Sequence, residues 1–114
     1  MNRRFCLTLD LKNDPELIAE YRRYHQKTWP EITESIKQSG IVDMEIYLRD
    51  TRLFMIMEVT ADFSFEKKVV MDRQNPKVQE WEQLMWKFQQ ALPHAAPGEK
   101  WVLMERIFKL DPHA

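Results

Sequence analysis

Five consecutive apolar residues, LFMIM at positions 53–57, lie near the middle of the chain. An uninterrupted apolar run of this length, preceded by the polar turn from Arg49 to Arg52, is typical of a β-strand that is covered on both faces. The chain has 114 residues, which suits a single domain over residues 1–114. Any fold for this chain must therefore supply a layer of structure on each side of this strand.

The periodicity of apolar residues predicts the order of the other elements. Strands are expected at 3–11, 41–48, 53–57 and 101–110, and helices at 15–28, 30–39, 65–72 and from Asn75-Pro76 onward, with a loop at 94–99 and a tail at 111–114. The last helix is expected to bury one apolar stripe, formed by Val78, Trp81, Met85, Phe88 and Leu92.

This β-α-β-β-α-β order, with the first helix interrupted and the second split, predicts an α+β, ferredoxin-like fold. Helices in such a fold cover one face of the sheet. The apolar run at 53–57 then needs a cover on the other face, and a second copy of the same sheet is the economical solution. We therefore expect a symmetric homodimer that packs sheet to sheet.

The first helical stretch ends at an unusual pair, Trp29-Pro30. Proline lacks an amide hydrogen and disfavours helical geometry at the residue before it, so the helix is expected to end or kink there. Two starts for the next helix fit equally well. One is a capping box between Thr28 and Glu31, and the other has Trp29 as the N-cap with Pro30 in the first helical position.

The composition excludes several classes of function. Seventeen basic and 18 acidic residues nearly cancel, so the basic surface of a nucleic-acid-binding protein is missing. No apolar stretch approaches the roughly 20 residues of a membrane span, and the N-terminal stretch lacks the apolar core of a signal peptide. With one cysteine, Cys6, no internal disulfide can form, and a cytoplasmic location is expected.

Cofactor and metal sites are not expected either. The chain has two glycines, which leaves no glycine-rich loop to bind a nucleotide cofactor. Cys6 and the three histidines show none of the short spacings of zinc ligands.

Three rings with polar groups, Tyr21, Tyr24 and His25, fall on one stripe of the first helix. Each brings a group that needs a hydrogen-bond partner, which makes them poor material for a dry core. We predict that they line a pocket for a small polyol, in which His25 transfers a proton. An ordinary core histidine explains the Tyr21–His25 pair alone at least as well, since aromatic pairs one helical turn apart are common.

Four tryptophans are many for a small domain. A flat indole stacks well on the apolar face of a pyranose ring, which makes Trp29 and Trp81 candidates for sugar contacts. Glu82 follows Trp81 directly and points about 100° away around the helix, at the edge of the same site. Core packing for the indoles and a solvated position for Glu82 are the alternatives.

Four segments of the chain resemble the L-rhamnose mutarotase family: EYRRYHQKTWPEI, SIKQSGIVDMEIYL, LFMIMEV and VQEWEQLMWKFQQALP. The resemblance runs in order through nearly the whole chain. Its most specific element is Tyr-x-x-x-His-x-x-x-Trp-Pro-Glu, which begins at Tyr21 and ends at Glu31. It implies a dimeric α+β barrel of ferredoxin-like subunits, and a cofactor-free enzyme that interconverts the α and β anomers of a 6-deoxy-hexose.

The resemblance also implies residue roles. His25 corresponds to the proton donor of the family, and Tyr21 to a tyrosine that contacts the sugar. The rhamnose site of the family adds a second-strand tyrosine and a Trp-Trp pair, but this chain has Met44 for the tyrosine and Glu82 after Trp81. Because these changes alter which hydroxyls the pocket can pair, they favour L-fucose, or another 6-deoxy-hexose, over L-rhamnose as the substrate.

In the expected mechanism, His25 protonates the ring oxygen while a second group takes the proton of the anomeric hydroxyl, and the opened sugar recloses on the other face. The second group is Tyr21, Glu82 or a water molecule. Two alternatives from other classes are a non-catalytic ferredoxin-like binding module and a dimeric α+β barrel oxygenase. The haem-dependent form of the latter would need His25 to ligate iron.

Overall fold

The computed structural model describes residues 1–111. Its elements are β1 (Arg3–Leu11), α1 (Pro15–Gln26), α2 (Pro30–Gln38), β2 (Ile41–Arg49), β3 (Arg52–Val59), α3 (Phe65–Arg73), α4 (Pro76–Trp86), β4 (Gln89–Gln90) and β5 (Val102–Leu103). The strands form one antiparallel sheet in the order β2-β3-β1-β4, and β5 also pairs with β1. The predicted α+β, ferredoxin-like fold is confirmed. Within these residues, no helix has the length and apolarity that crossing a membrane requires.

The two faces of the sheet differ in burial. Alternate residues of β1 and β3 are buried in the core, among them Leu9 and its register partner Leu53. The intervening residues Phe54 and Ile56 of β3 are only partly buried. The apolar run at 53–57 is therefore a strand with one face in the core and one face still partly open to solvent.

The break between α1 and α2 lies where the sequence places it. Helix α1 begins after Asp14, whose side chain accepts hydrogen bonds from the amides of Glu16 and Leu17. Helix α2 has Trp29 as its N-cap and Pro30 in the first turn, and the described residues supply no side-chain cap. Of the two predicted starts, the one with Trp29 as the N-cap is correct.

Helix α4 is shorter than predicted. It ends at Trp86, where the amides of Lys87 and Phe88 donate to the carbonyls of Leu84 and Met85. The chain then extends, because the amide of Lys12 donates to the Phe88 carbonyl and β4 pairs with the end of β1. Phe88 and Leu92 are still buried, but they lie beyond the helix, so their assignment to it was wrong.

The last strand is also shorter than the predicted span of 101–110. Only Val102–Leu103 pair with β1, and the amide of Met104 adds one bond to the carbonyl of Cys6. The adjacent charged residues Glu105 and Arg106 interrupt the alternation that a half-buried strand requires. Beyond them, Ile107 and Phe108 are 90% and 74% exposed. Of the predicted tail at 111–114, residues 112–114 lie outside the described part of the chain.

Candidate active site

His25 is held in the last turn of α1. Its Nδ1 lies 2.9 Å from the carbonyl oxygen of Tyr21, one turn earlier in the helix. A carbonyl oxygen only accepts hydrogen bonds, so Nδ1 carries the hydrogen and Nε2 of the neutral ring is left as a proton acceptor. Burial lowers the pKa of His25, and the bond to Tyr21 opposes this shift only in part. The ring is therefore neutral at pH 7, with a basic Nε2.

The ring of Tyr21 packs against the ring of His25. The two rings lie with their centroids 4.3 Å apart. The Tyr21 side chain is buried, and its hydroxyl oxygen accepts a hydrogen bond of 3.3 Å from Nε2 of Gln89. Burial raises the pKa of Tyr21 to about 12, with the Gln89 bond acting in the opposite direction. The phenol is therefore neutral at pH 7 and suited to donating a hydrogen bond.

Two indoles lie beside these rings. Trp81 is 5.7 Å from His25 by ring centroids, and its other neighbour Trp29 is 5.0 Å away at an interplanar angle of 69°. Trp81 projects from α4, whereas Trp29 is the N-cap of α2. Tyr24 of α1 also lies 6.1 Å from Trp81 by ring centroids. Three separate helices therefore bring one imidazole, two phenols and two indoles into a single aromatic cluster.

The other two predicted sugar contacts, Glu82 and Met44, are not part of this aromatic cluster. Glu82 is half-buried on α4 beside Trp81, and its backbone carbonyl accepts a bond of 2.7 Å from Nζ of Lys100. Met44 packs against a separate buried cluster, formed by Leu7, Ile41, Met55, Met57, Val59 and Phe63. Its register partner Met57 lies four residues along β3 from Leu53, a separation of about 13 Å, and Leu53 belongs to the cluster of Tyr21 and Trp81. The structure thus unites Tyr21, His25, Trp29 and Trp81, with Glu82 adjoining them and Met44 in the neighbouring cluster.

Gln89 and Lys100 were not anticipated from the sequence. Gln89 was hidden because the expected helix continued past it, and a glutamine in the middle of a helix gives no signal of burial. Lys100 lies 4.9 Å above the ring of Trp86. Burial lowers the pKa of Lys100 to about 8, against an opposing effect of the Glu82 charge.

Two surface cavities lie away from the aromatic cluster. One of about 560 Å³ lies between α1 and the β2–β3 turn, and includes Arg22 and Asp50. The other, of about 230 Å³, lies between the end of α2 and the start of α3, and includes Ser39 and Lys67. Residues 1–111 contain no group of three or more His, Cys, Asp or Glu side chains that could hold a metal ion.

Comparison with known proteins identifies the family. The sequence model described as L-rhamnose mutarotase matches residues 4–110. The chain belongs to the L-rhamnose mutarotase family. Within this family, it is 46% identical over 110 residues to an L-fucose mutarotase of Xanthomonas campestris pv. campestris, a match that covers 95% of this chain and 88% of the relative.

Two further relatives are less similar to this chain. An L-rhamnose mutarotase of Acidiphilium cryptum is 32% identical over 102 residues, covering 85% of this chain and 89% of that protein. The crystal structure of an L-rhamnose mutarotase from Formosa agariphila has a TM-score of 0.70 and 20% identity, and covers 96% of this chain and 99% of its own. This likeness confirms the fold. The comparisons give no support to the binding-module or oxygenase alternatives.

Proposed function

We propose that this member of the L-rhamnose mutarotase family is a cofactor-free enzyme that interconverts the α and β anomers of L-fucose. The observation that carries the proposal is the state of His25. Its Nδ1 is bonded to the Tyr21 carbonyl, and burial lowers its pKa. A neutral imidazole with a free Nε2, next to a neutral phenol and two indoles, suits proton transfer to and from a sugar.

The choice of L-fucose has two sources of support. Met44 and Glu82 replace a tyrosine and a tryptophan that the family uses for rhamnose, which changes the hydrogen-bonding groups available to the sugar. In addition, the L-fucose mutarotase of Xanthomonas campestris pv. campestris is 46% identical to this chain, and the L-rhamnose mutarotase of Acidiphilium cryptum is 32% identical. Both sugars keep the C6 methyl group and differ in the stereochemistry of their hydroxyls.

The protonation state of His25 determines the direction of its first proton transfer. Because Nε2 is unprotonated at pH 7, it accepts the proton of the anomeric hydroxyl as the bond between C1 and the ring oxygen breaks. Rotation about the C1–C2 bond then presents the other face of the aldehyde. On reclosure, His25 returns the proton to the same oxygen. This assignment reverses the expected mechanism, in which His25 protonates the ring oxygen, because Nδ1 carries the one hydrogen of the neutral ring and bonds to the Tyr21 carbonyl.

The ring oxygen needs a proton during opening and releases it during reclosure. We assign this role to the hydroxyl of Tyr21. Its pKa of about 12 keeps the phenol protonated, and its oxygen already accepts from Gln89. Glu82 then has a binding role, as a carboxylate that accepts hydrogen bonds from sugar hydroxyls, and Trp81 and Trp29 contact the apolar face of the pyranose.

The enzyme acts as a homodimer in this proposal. The second copy would cover the open face of the sheet, where Phe54 and Ile56 are partly buried and Tyr47 is 53% exposed. Two such sheets facing each other form the predicted dimeric α+β barrel, and the proposed location is the cytoplasm.

Light scattering after size exclusion tests the dimer. We expect a measured mass of two chains for the wild type. Phe54→Lys should have the mass of one chain, because the lysine places a charge on the open face of the sheet. Val69→Lys is the matched control, since Val69 is an exposed apolar residue on α3 outside this face. A monomeric wild type would contradict the proposal.

Saturation-transfer NMR tests the activity. The exchange rate between the two anomers is measured for L-fucose, L-rhamnose and D-glucose with and without enzyme. We expect the largest acceleration for L-fucose, a smaller one for L-rhamnose and none for D-glucose. Rates equal to the buffer control for all three sugars would refute the proposed activity, whereas a preference for L-rhamnose would refute only the substrate assignment.

A further inference from the structure

Gln89 is buried between the sheet and helix α1. Strand β4 pairs Gln89 with Leu11 and Gln90 with Asp10. Since side chains alternate along a strand, Gln89 shares the helix-covered face with Leu11, and Gln90 faces outward. Gln89 is accordingly 4% exposed, whereas Gln90 is exposed.

The hydrogen bonds of Gln89 are incomplete. Its Nε2 donates to the hydroxyl oxygen of Tyr21. Its Oε1 is buried and has no partner among residues 1–111. An apolar side chain of the same size would remove this unpaired oxygen, but it would also take away the hydrogen bond that the buried Tyr21 hydroxyl receives. Such a locally unfavourable choice is most often found where function requires the residue, and the one polar contact of Gln89 is with Tyr21.

This contact decides what the Tyr21 hydroxyl can do. A phenol has one hydrogen to donate and an oxygen that accepts. When the amide hydrogen of Gln89 occupies the oxygen, the hydrogen of Tyr21 is left for another acceptor. The opposite orientation of the amide would let Gln89 Oε1 consume that hydrogen. The observed orientation, with nitrogen toward Tyr21, therefore sets the hydroxyl up as a donor.

We propose that Gln89 is a positioning residue, which fixes the Tyr21 hydroxyl with its hydrogen directed to the sugar. This inference rests on the proposed mutarotase function and assigns a role to a residue that touches Tyr21 rather than the reacting atoms. It predicts that Gln89 affects turnover only through the hydroxyl of Tyr21.

The test is a double-mutant cycle with anomer exchange of L-fucose as the readout. Gln89→Met keeps the length of the side chain and removes the amide. We expect its kcat to fall about tenfold, as for the loss of one well-placed hydrogen bond, with KM little changed. Gln90→Met is the matched control and should retain wild-type kinetics. In a Tyr21→Phe background, Gln89→Met should cause no further loss.

Each result is decisive. An inactive wild type refutes the proposed function itself, and that measurement is made before any variant. With an active wild type, an unchanged kcat for Gln89→Met overturns the positioning role. An equal tenfold loss in both backgrounds also overturns it, because Gln89 would then act independently of the Tyr21 hydroxyl. Should Gln89→Met melt at a lower temperature, Gln89→Leu replaces it in the same cycle under the same criteria.

Discussion

Replacing His25 with glutamine removes the proposed proton acceptor and leaves the rest of the site unchanged. A glutamine amide can donate to the Tyr21 carbonyl, as His25 Nδ1 does at 2.9 Å, but it has no nitrogen that takes up a proton near pH 7. Loss of a general base typically lowers turnover 10²–10⁴-fold, which corresponds to about 2.7–5.5 kcal/mol of transition-state stabilisation. His94→Gln is the control, since His94 is exposed in a loop.

The pH dependence of turnover tests the same residue without mutation. Only neutral His25 accepts a proton, so kcat/KM, which reports the enzyme without bound sugar, falls as pH drops through the pKa of His25. Burial places that pKa below the ordinary value of 6.5, and the acid limb should therefore have its midpoint below pH 6.5. The assay is saturation transfer with L-fucose from pH 4.5 to 8, with the buffer-catalysed rate subtracted at each pH. A midpoint above 6.5, or a loss smaller than tenfold in His25→Gln, would refute the assigned role.

Protein stability should follow the same titration. The unfolded state binds more protons than the folded state between the lowered pKa of His25 and 6.5, so the free energy of unfolding rises with pH across this window. His25→Gln should reduce that slope, as measured by urea denaturation at several pH values.

Two further predictions concern binding and the fold. Trp29→Leu should raise the KM for L-fucose about fivefold, equivalent to about 1 kcal/mol of lost ring stacking, with kcat nearly unchanged; an unaltered KM would remove Trp29 from the sugar site. Gly40→Ala should lower the free energy of unfolding by at least about 1–2 kcal/mol in urea denaturation, because Gly40 has φ +99° and an added Cβ would lie 3.0 Å from Oγ1 of Thr60. Gly98→Ala is the comparison, because Gly98 has φ +80° but no described atom lies within 4 Å of the added Cβ. A larger loss of unfolding free energy at Gly98 than at Gly40 would contradict the steric argument.

Local sequence rules predicted the fold well where one rule acted alone. The Trp29-Pro30 pair breaks the helix because proline has no amide hydrogen, whatever surrounds it. Asp14 and Asn75 cap helices by accepting hydrogen bonds from the amides two and three residues later. Each cap therefore depends only on residues that are neighbours in the sequence. The apolar run at 53–57 likewise identified a strand, β3, but without alternation it did not show which of its faces lies in the core.

The prediction was wrong where tertiary pairing overrides periodicity. Phe88 and Leu92 continue the apolar spacing of α4, but the free edge of β1 draws the chain into β4 after Trp86. This pairing turns Gln89 toward Tyr21, so its role could not be read from the sequence. The spacing of apolar residues at 76–92 contains no information about which strand edge is unpaired. The sequence beyond Leu103 likewise does not show where the pairing with β1 ends.

The position of Cys6 provides a natural reporter of assembly. It is the only cysteine of the chain, carries a free thiol, and lies opposite Ile56 on the face proposed to meet a second copy. A sulfhydryl reagent should therefore modify associated protein slowly and separated subunits quickly. The labelling rate over a dilution series would then yield the dissociation constant of the unaltered protein, with no dye or tag introduced elsewhere.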